Sequence, residues 1–414
     1  MKQRYDSYKP SGIDWIGEIP SHWKTAAIKN SFRLYAGATP KTERREYWDG
    51  EIIWVTPADY KTDDHYINRG RKNITKDGLA SCATEIVPAE SLIFSKRAPI
   101  GTVGLAKNPL CTNQGCIACV PKSKTVSNYF YYLCRIATKE FEILGSGATF
   151  LEISTSNFAN FKFPLPPYSE QEAIATWLDE KCSEIDAAIA KVDREIELID
   201  ELKHSEISRV VTRGLNPDVP LKQSGIDWIG EVPEHWEILK VKYLVRFSSG
   251  DTITSEQFID TAEYPVYGAN GYRGRFDKFN YSGERILIGR VGALCGNVHY
   301  TNERIWCSEH ALISSKVLGG QEFDYGWLCL LFESMNLNQY GGGSAQPVIA
   351  SSTIENLSII FPPLTEQQSI ADYLDKKCGE IDGLKEKLVK KRETLKELRQ
   401  SIISEVVTGK RKVI

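Results

Sequence analysis

Long apolar runs, methionine, histidine and a strong net charge are all scarce in this sequence of 414 residues. No apolar run approaches the roughly 18 residues that a membrane-spanning helix needs. The opening stretch MKQRYDSYKP has no apolar core of the kind a secretory leader carries. A cytoplasmic chain is therefore expected, with its ten cysteines held as reduced thiols. The formal net charge of −3 does not by itself point to a polyanion as partner. At this length two to three domains are expected rather than one core.

Catalytic and metal-binding signatures are missing as well. There is no HExxH, no GxSxG and no paired-carboxylate constellation, and the six histidines are scattered. Cys111, Cys116 and Cys119 stand close together in CTNQGCIAC. No second CxxC and no nearby histidine completes a zinc site, so a buried strand is the simpler reading and no metal is expected. Gly289, Gly292 and Gly296 in ILIGRVGALCGNV are flanked by strand-like runs, where a phosphate cradle would need a following helix. Gly341-Gly342-Gly343-Ser344 lacks the GK[ST] of a P-loop and reads as a loop. Leu165-Pro166-Pro167-Tyr168 is one residue away from the Asn/Asp-Pro-Pro-Tyr motif of amino-methyltransferases. Leu165 cannot accept the hydrogens of a target amine, so this stretch reads as the start of a helix.

What the sequence has instead is repetition. SGIDWIGEIP at 11–20 returns as SGIDWIGEVP at 224–233, and both copies run on to His-Trp, at His22-Trp23 and His235-Trp236. A second element, FPLPPYSEQEAIATWLDEKCSEID from Phe163, returns as FPPLTEQQSIADYLDKKCGEID from Phe361, in register from Glu170-Gln171 against Glu366-Gln367. Repeats are read before anything else because they set the architecture. They divide the chain into a first phrase (1–23), a variable block (24–162), a helical region (163–215), a second phrase (216–237), a second block (238–360) and a second helical region (361–414). Trp15, Ile16, Pro20 and Trp23 read as a packing clip leading into each block.

Both helical regions carry apolar residues at alternating steps of three and four, a heptad seam interrupted by charged Glu195 in one and Lys391 in the other. In one these are Ile185, Ala188, Val192, Ile199, Leu202 and Val210. In the other they are Ile381, Leu384, Leu388, Leu395, Leu398, Ile402 and Val406. Ser169 and Thr365 are the expected N-caps. Residues 182–212 would span about 45 Å as a helix. Residues 164–215 hold 6 Lys and Arg against 12 Asp and Glu, and residues 362–414 hold 12 against 9. This complementarity favours the two helices pairing with each other, antiparallel in a pseudo-twofold chain. The alternative is two independent helices, each covering its own domain.

The variable blocks are rich in short β-type runs broken by Gly, Asn and Pro, each with one helix near its end, at SNYFYYLCRIA and FDYGWLCLLF. The expected fold class is α+β: two loop-rich α/β domains separated by two long antiparallel, coiled-coil-like helices in an internal pseudo-twofold repeat. A duplicated chain with divergent loops and no chemistry of its own suits a reader of a linear polymer, and double-stranded DNA is the natural candidate. Direct readout needs Arg, Asn, Gln, Ser, Thr and His on loops, with Lys and Tyr on phosphates. The first block offers Lys41, Arg44, Arg45, Tyr60, Lys61, Lys96, Arg97, Thr112, Asn113, Gln114 and Thr149. The second offers Tyr267, Asn270, Tyr272, Arg273, Arg275, Arg290, Ser308, His310, Ser344 and Gln346. Residues 24–163 are basic, 19 against 13, whereas residues 238–361 are slightly acidic, 10 against 12.

Across nearly its whole length the chain resembles the specificity subunit of type I restriction–modification systems. The resemblance rests on SGIDWIGEIPxHW at the start of each half, on PLPPYSEQEAIATWLDEK and PPLTEQQSIADYLDKK, and on YWDGEIIWVTPADY (47–60) and GGGSAQPVIASSTIENLSIIFPPL (341–364). It implies two target-recognition domains, each reading one half of a bipartite site, with the helices fixing the spacer between the halves. It also implies two modification subunits that bind S-adenosylmethionine and methylate adenine N6, and motor–nuclease subunits that cut unmodified DNA. The chain itself would hold no cofactor and catalyse nothing. The rival expectations are a stand-alone DNA adenine methyltransferase and a scaffold for partner proteins that does not touch DNA.

Overall fold

The computed structural model describes residues 3–61, 64–145, 152–342 and 347–413. It divides into two compact units, Met1–Val192 with Lys390–Ile414, and Asp193–Val389. These units are not the two sequence repeats. Each combines one phrase, one variable block and a part of both long helices.

Unit 1 holds a sheet in the order Phe32–Ala36, Cys116–Pro121, Leu92–Ser95, Val103–Ala106, Tyr66–Ile67. The first four strands are antiparallel neighbours and the last joins in parallel. Leu92–Ser95 and Val103–Ala106 are buried along their whole length, which explains why their sequences show no polar alternation. One face of the sheet lies in a core with the helix Ser127–Ile136, and the other covers a smaller core around Tyr60 and Ile93. Cys119 belongs to the first core and Cys116 to the second. Three residues apart on one strand, they face opposite sides of the sheet, so their spacing does not bring two sulfurs to one ion.

Unit 2 repeats this plan with a sequence of its own. Its sheet runs Val245–Ser249, Ala311–Lys316, Arg285–Gly289, Val298–Thr301, all antiparallel. The helix Tyr325–Ser334 lies in its core. Each unit also carries a three-stranded satellite sheet. In unit 1 Trp48–Val55 pairs with Cys111–Thr112 in parallel and with Lys72–Ile74 antiparallel. In unit 2 Tyr264–Gly268 pairs with Trp306–Cys307 in parallel and with Gly271–Phe276 antiparallel. The two blocks are one topology used twice.

The long helices are Tyr168–Arg213, 46 residues, and Leu364–Val407, 44 residues. They begin two residues earlier than expected, so Ser169 and Thr365 lie inside the first turn and are not the N-caps. The prolines set the start, because their fixed φ is already helical. The backbone N–H groups of Glu170 and Gln171 both donate to the Pro167 carbonyl, and those of Glu366 and Gln367 to Pro363. The side chain of Gln171 then ties the turn to its unit, donating to Pro166 O at 3.0 Å and accepting from Val126 N at 3.1 Å. Gln367 does the same with Pro362 O at 2.8 Å and Asp324 N at 2.9 Å.

The repeated phrase closes on the same helical turn. Trp23 is fully buried and its indole Nε1 donates to Glu170 Oε2 at 2.8 Å, while His22 Nε2 lies 2.6 Å from Glu170 Oε1. Trp236 and His235 hold Glu366 at 2.9 and 2.6 Å. The other side of each Trp is the end of the other long helix. Gly409 has φ +74°, and a Cβ there would meet the Trp23 ring at 3.1 Å; Gly214 has φ +73° and faces Trp236 at 3.2 Å. Glycine serves both as the left-handed stop of the helix and as the surface on which the indole rests.

Within unit 2 the helical segments run antiparallel, since Asp200 pairs with Lys385 and Lys203 with Asp382, each at 2.7 Å. In unit 1 Arg399 reaches Asp186 at 3.2 Å. The Lys203–Asp382 and Arg399–Asp186 pairs are the same pair of repeat positions with the helices exchanged, 186 plus 196 being 382 and 203 plus 196 being 399. The expected seam is only partly buried. Ile185, Val192, Val210, Ile381 and Val406 are inside, but Leu202, Leu384 and Leu398 are about half exposed. A helix pair buries only the stripe that faces its partner or its own unit.

Two stability measurements check this account. Trp23→Ala or Trp236→Ala should cost about 3–5 kcal/mol in denaturant unfolding, as a buried indole is lost. Lys203→Ala, which removes an exposed ion pair, should cost under about 1 kcal/mol. Equal losses for the two kinds of variant would show that the clamp does not carry the unit. A second check uses Glu333 in the unit 2 core helix, whose carboxyl burial pushes above the usual range, with the Cys329 thiol, Lys203 and His204 offsetting part of the rise. A raised folded-state value means the charged form costs stability above it, and no cost remains below the unfolded value near about pH 4.3. Glu333→Gln should therefore raise the melting temperature at pH 7, and the gain should vanish by about pH 4.

Candidate nucleic-acid interface

The polar residues singled out in the second block converge. The tip Gly268–Gly271 of the hairpin, the loop after Gly289 and the stretch Cys307–His310 meet at one end of the unit 2 sheets. Asn297 Nδ2 donates to Asn270 Oδ1 at 3.2 Å. Arg290 N donates to His310 O at 2.9 Å, and its guanidinium donates to Ser249 Oγ at 3.1 Å. A Cβ on Gly289 would fall 2.5 Å from Ala269 O, so only glycine lets the hairpin tip lie against the central strand. Asn270, Tyr272 and Arg273 are exposed on this tip, Tyr272 at 58%. His310 and Arg290 lie beside them, half-buried.

Two residues of that set are not surface contacts. Ser308 is fully buried. The Arg275 guanidinium is spent on the carbonyls of Ala262 and Glu263, at 3.1 and 2.9 Å. Tyr267 is half-buried, and burial raises its phenol. Ser344 and Gln346 lie outside the described residues.

In unit 1 the equivalent end is built by the stretches 37–39, 95–97 and 112–115. Ala38 N donates to Thr112 O at 3.0 Å, Lys96 N to Gly115 O at 3.0 Å, and Thr39 Oγ1 bonds the side chain of Gln114. Gln114 is exposed and Asn113 is half-buried. Lys96 and Arg97 both hold Glu152, each at 2.9 Å. The Lys96 hydrogen bond, supported by Arg97, keeps the Glu152 carboxyl below the usual range. Lys41, Arg44, Arg45 and Lys61 are exposed around the satellite strand Trp48–Val55. Two expected contacts are corrected. Tyr60 is buried with its hydroxyl 3.7 Å from Cys116 Sγ, and Thr112 is buried beneath its own loop. A Tyr or Thr fills core space as readily as it meets a phosphate, and composition alone does not separate the two. Thr149 lies outside the described residues.

Sequence reasoning passed over other cations here. Arg69 is exposed, Arg71 bonds Ala58 O at 2.6 Å, and Lys72 sits 5.2 Å over the Trp48 ring. Their dense run, RGRK at 69–72, was the signal available. Leu165 ends a strand paired with Lys24–Ala27, and Tyr168 opens the first long helix, so Leu165–Tyr168 is a helix start. Among the described residues no cluster of His, Cys, Asp and Glu could hold a metal ion, and no helix is long and apolar enough to cross a membrane.

Comparisons with known proteins agree on one family. A family described as "Type I restriction modification DNA specificity domain" matches twice, over residues 20–198 and 233–390. The chain is 29% identical to the type I restriction enzyme MjaIX specificity subunit of Methanocaldococcus jannaschii, covering 96% of this chain and 95% of that one. It is 28% identical to the EcoprrI specificity subunit of Escherichia coli, covering 84% and 86%. In fold it is similar to a chain from a solved type I R-M system, with a TM-score of 0.73 at 15% identity over 94% of this chain and 98% of the other. The HsdS subunit from Thermoanaerobacter tengcongensis gives a TM-score of 0.54 at 15% identity, over 94% and 98%. With both of its blocks matched by the family, this chain belongs to the type I restriction–modification DNA-specificity proteins.

Proposed function

We propose that each unit reads one half of a two-part DNA site, with residues 24–162 and 238–360 as the target-recognition domains. The observation that carries this is the duplicated sheet topology, which ends in each unit on a cluster of loops rich in base-reading donors and acceptors. Asn270, Tyr272, Arg273, Arg290 and His310 supply the contacts of one unit. Lys41, Arg44, Arg45, Lys61, Lys96, Arg97, Asn113 and Gln114 supply those of the other. The long helices set the unspecified spacer between the half-sites.

In this reading the chain supplies recognition and no chemistry, and works in the cytoplasm. Two modification subunits dock on the repeated regions, bring S-adenosylmethionine and methylate adenine, and motor–nuclease subunits cut unmodified DNA. The absence of a polar residue at Leu165 supports this division of labour, because the motif it resembles needs an acceptor there.

The test is a domain exchange. Replacing residues 24–162 by the recognition domain of another family member should change one half of the methylated site and leave the other half and the spacer as they were, read by methylome sequencing. A chimera that methylates the original site would remove the assignment. Binding by the assembled complex should also weaken steeply with salt, with a slope of about 0.9 per phosphate contacted.

A further inference from the structure

The two recognition domains differ in loop sequence and length, yet one cation occupies the same place in both. In unit 1 it is Lys96, directly after the buried strand Leu92–Ser95. In unit 2 it is Arg290, directly after the buried strand Arg285–Gly289. The Lys96 N–H donates to the carbonyl of Gly115 at 3.0 Å and its own carbonyl accepts from Ile153 N at 3.0 Å. The Arg290 N–H donates to the carbonyl of His310 at 2.9 Å and its own carbonyl accepts from Ile349 N at 2.9 Å. Gly115 and His310 immediately precede the sheet strands Cys116–Pro121 and Ala311–Lys316, which neighbour those buried strands.

Each cation is thus pinned through its backbone on both sides. The chain that follows it is different in the two units, LysArgAlaProIle against ArgValGlyAlaLeu. A phosphate contact tolerates a mobile side chain on a loop; reading a base edge needs a side chain whose origin is fixed. Both cations also have a polar neighbour that aligns the head group, Glu152 at 2.9 Å for Lys96 and Ser249 at 3.1 Å for Arg290.

We propose that Lys96 and Arg290 are equivalent specificity-determining residues, one per recognition domain, each donating to the O6 and N7 acceptors of a guanine in the major groove of its half-site. Arg and Lys are the side chains that make this contact, and a good pair of such bonds discriminates strongly against the wrong base. The inference rests on the two-part reading proposed above and specifies one base in each half. The lysine, a single rotatable ammonium, reads its guanine less stringently than the forked guanidinium of Arg290.

The experiment uses the chain assembled with the modification subunits of its system, and scores methylation across a library of sites varied one base pair at a time. Arg290→Ala should lose about 5- to 150-fold of discrimination at one G·C pair, in the unit 2 half-site only. Lys96→Ala should do so at one pair of the other half-site. Should either alanine variant melt early, Arg290→Lys and Lys96→Arg retain the charge, and each should shift stringency at the same single pair with the melting temperature unchanged. Uniform weakening across all sequences, with a salt slope lower by about 0.9, would identify a phosphate contact and overturn the proposal. Unaltered discrimination in all four variants would also overturn it. Either result leaves the two-part reading intact, whereas a wild-type complex with no preference among the library sites sinks that reading itself.

Discussion

A buried tryptophan donating to a carboxylate in the first turn of a long helix is the interaction on which each unit depends. Glu170 accepts from Trp23 in unit 1, and Glu366 from Trp236 in unit 2. The same indole is the seat for the glycine that ends the other long helix, Gly409 or Gly214. One residue therefore ties the first turn of one helix to the end of the other. Unit 1 needs residues from both extremes of the chain, and the Lys412 N–H donates to Gln3 O at 2.9 Å. Unit 2 makes the corresponding closure inside the chain, between Arg213 and the second phrase. A repeat in sequence thus becomes two units that exchange helical segments.

The recognition domains separate what must be kept from what is free to change. The buried strands and the core helix occupy matching places in both units, because burial on two faces leaves little choice of side chain. Variation falls at the margins. Unit 1 adds the parallel edge strand Tyr66–Ile67 and the short helix Lys76–Ala80, and the loop following Lys96 contains a cis Ala98–Pro99 peptide absent from its counterpart after Arg290. Loops anchored at both ends by a fixed sheet can differ in length and chemistry without moving the strands beneath them.

The repeats, the long helices, the α+β blocks and the two core helices were legible in the sequence, since identity between copies and 3.6-residue periodicity are local properties. Unit composition was not, because nothing local says that residues 390–414 return to the first block. The N-caps were misplaced by two residues because Ser169 and Thr365 fit the preference for short polar caps, while the proline before each helix had already set the dihedral. In the candidate loops the sequence could not tell outward-facing side chains from inward-facing ones. Tyr60, Thr112 and Ser308 are of residue types that serve both roles, and only the register of the strands next to them decides. The heptad pattern likewise marked Leu202 and Leu398 as seam residues, but which stripe meets the partner depends on crossing geometry.

The acidic balance of the second block conflicts with a DNA-facing role only when charge is counted without regard to place. Asp324 accepts from Trp327 N at the start of its helix, where the partial positive charge of the free N–H groups offsets it. Glu355 accepts from Phe247 N and pairs with Arg246, each at 2.8 Å. Glu322 pairs with Lys316, and Glu333 lies in the core, where burial raises its carboxyl and Lys203 and His204 act against that rise. Glu309 turns its carboxylate to Ile253 N at 3.3 Å, holding the chain that follows the first sheet strand. These carboxylates are placed by the fold's own donors, each within a few ångströms of a compensating group, so their field falls off quickly in salt. Arg273 is exposed at the hairpin tip with its guanidinium over the Phe258 ring, 5.7 Å from its centroid. The surface at this end of the unit is a local arrangement of cations and amides, and the sum over the block does not describe it.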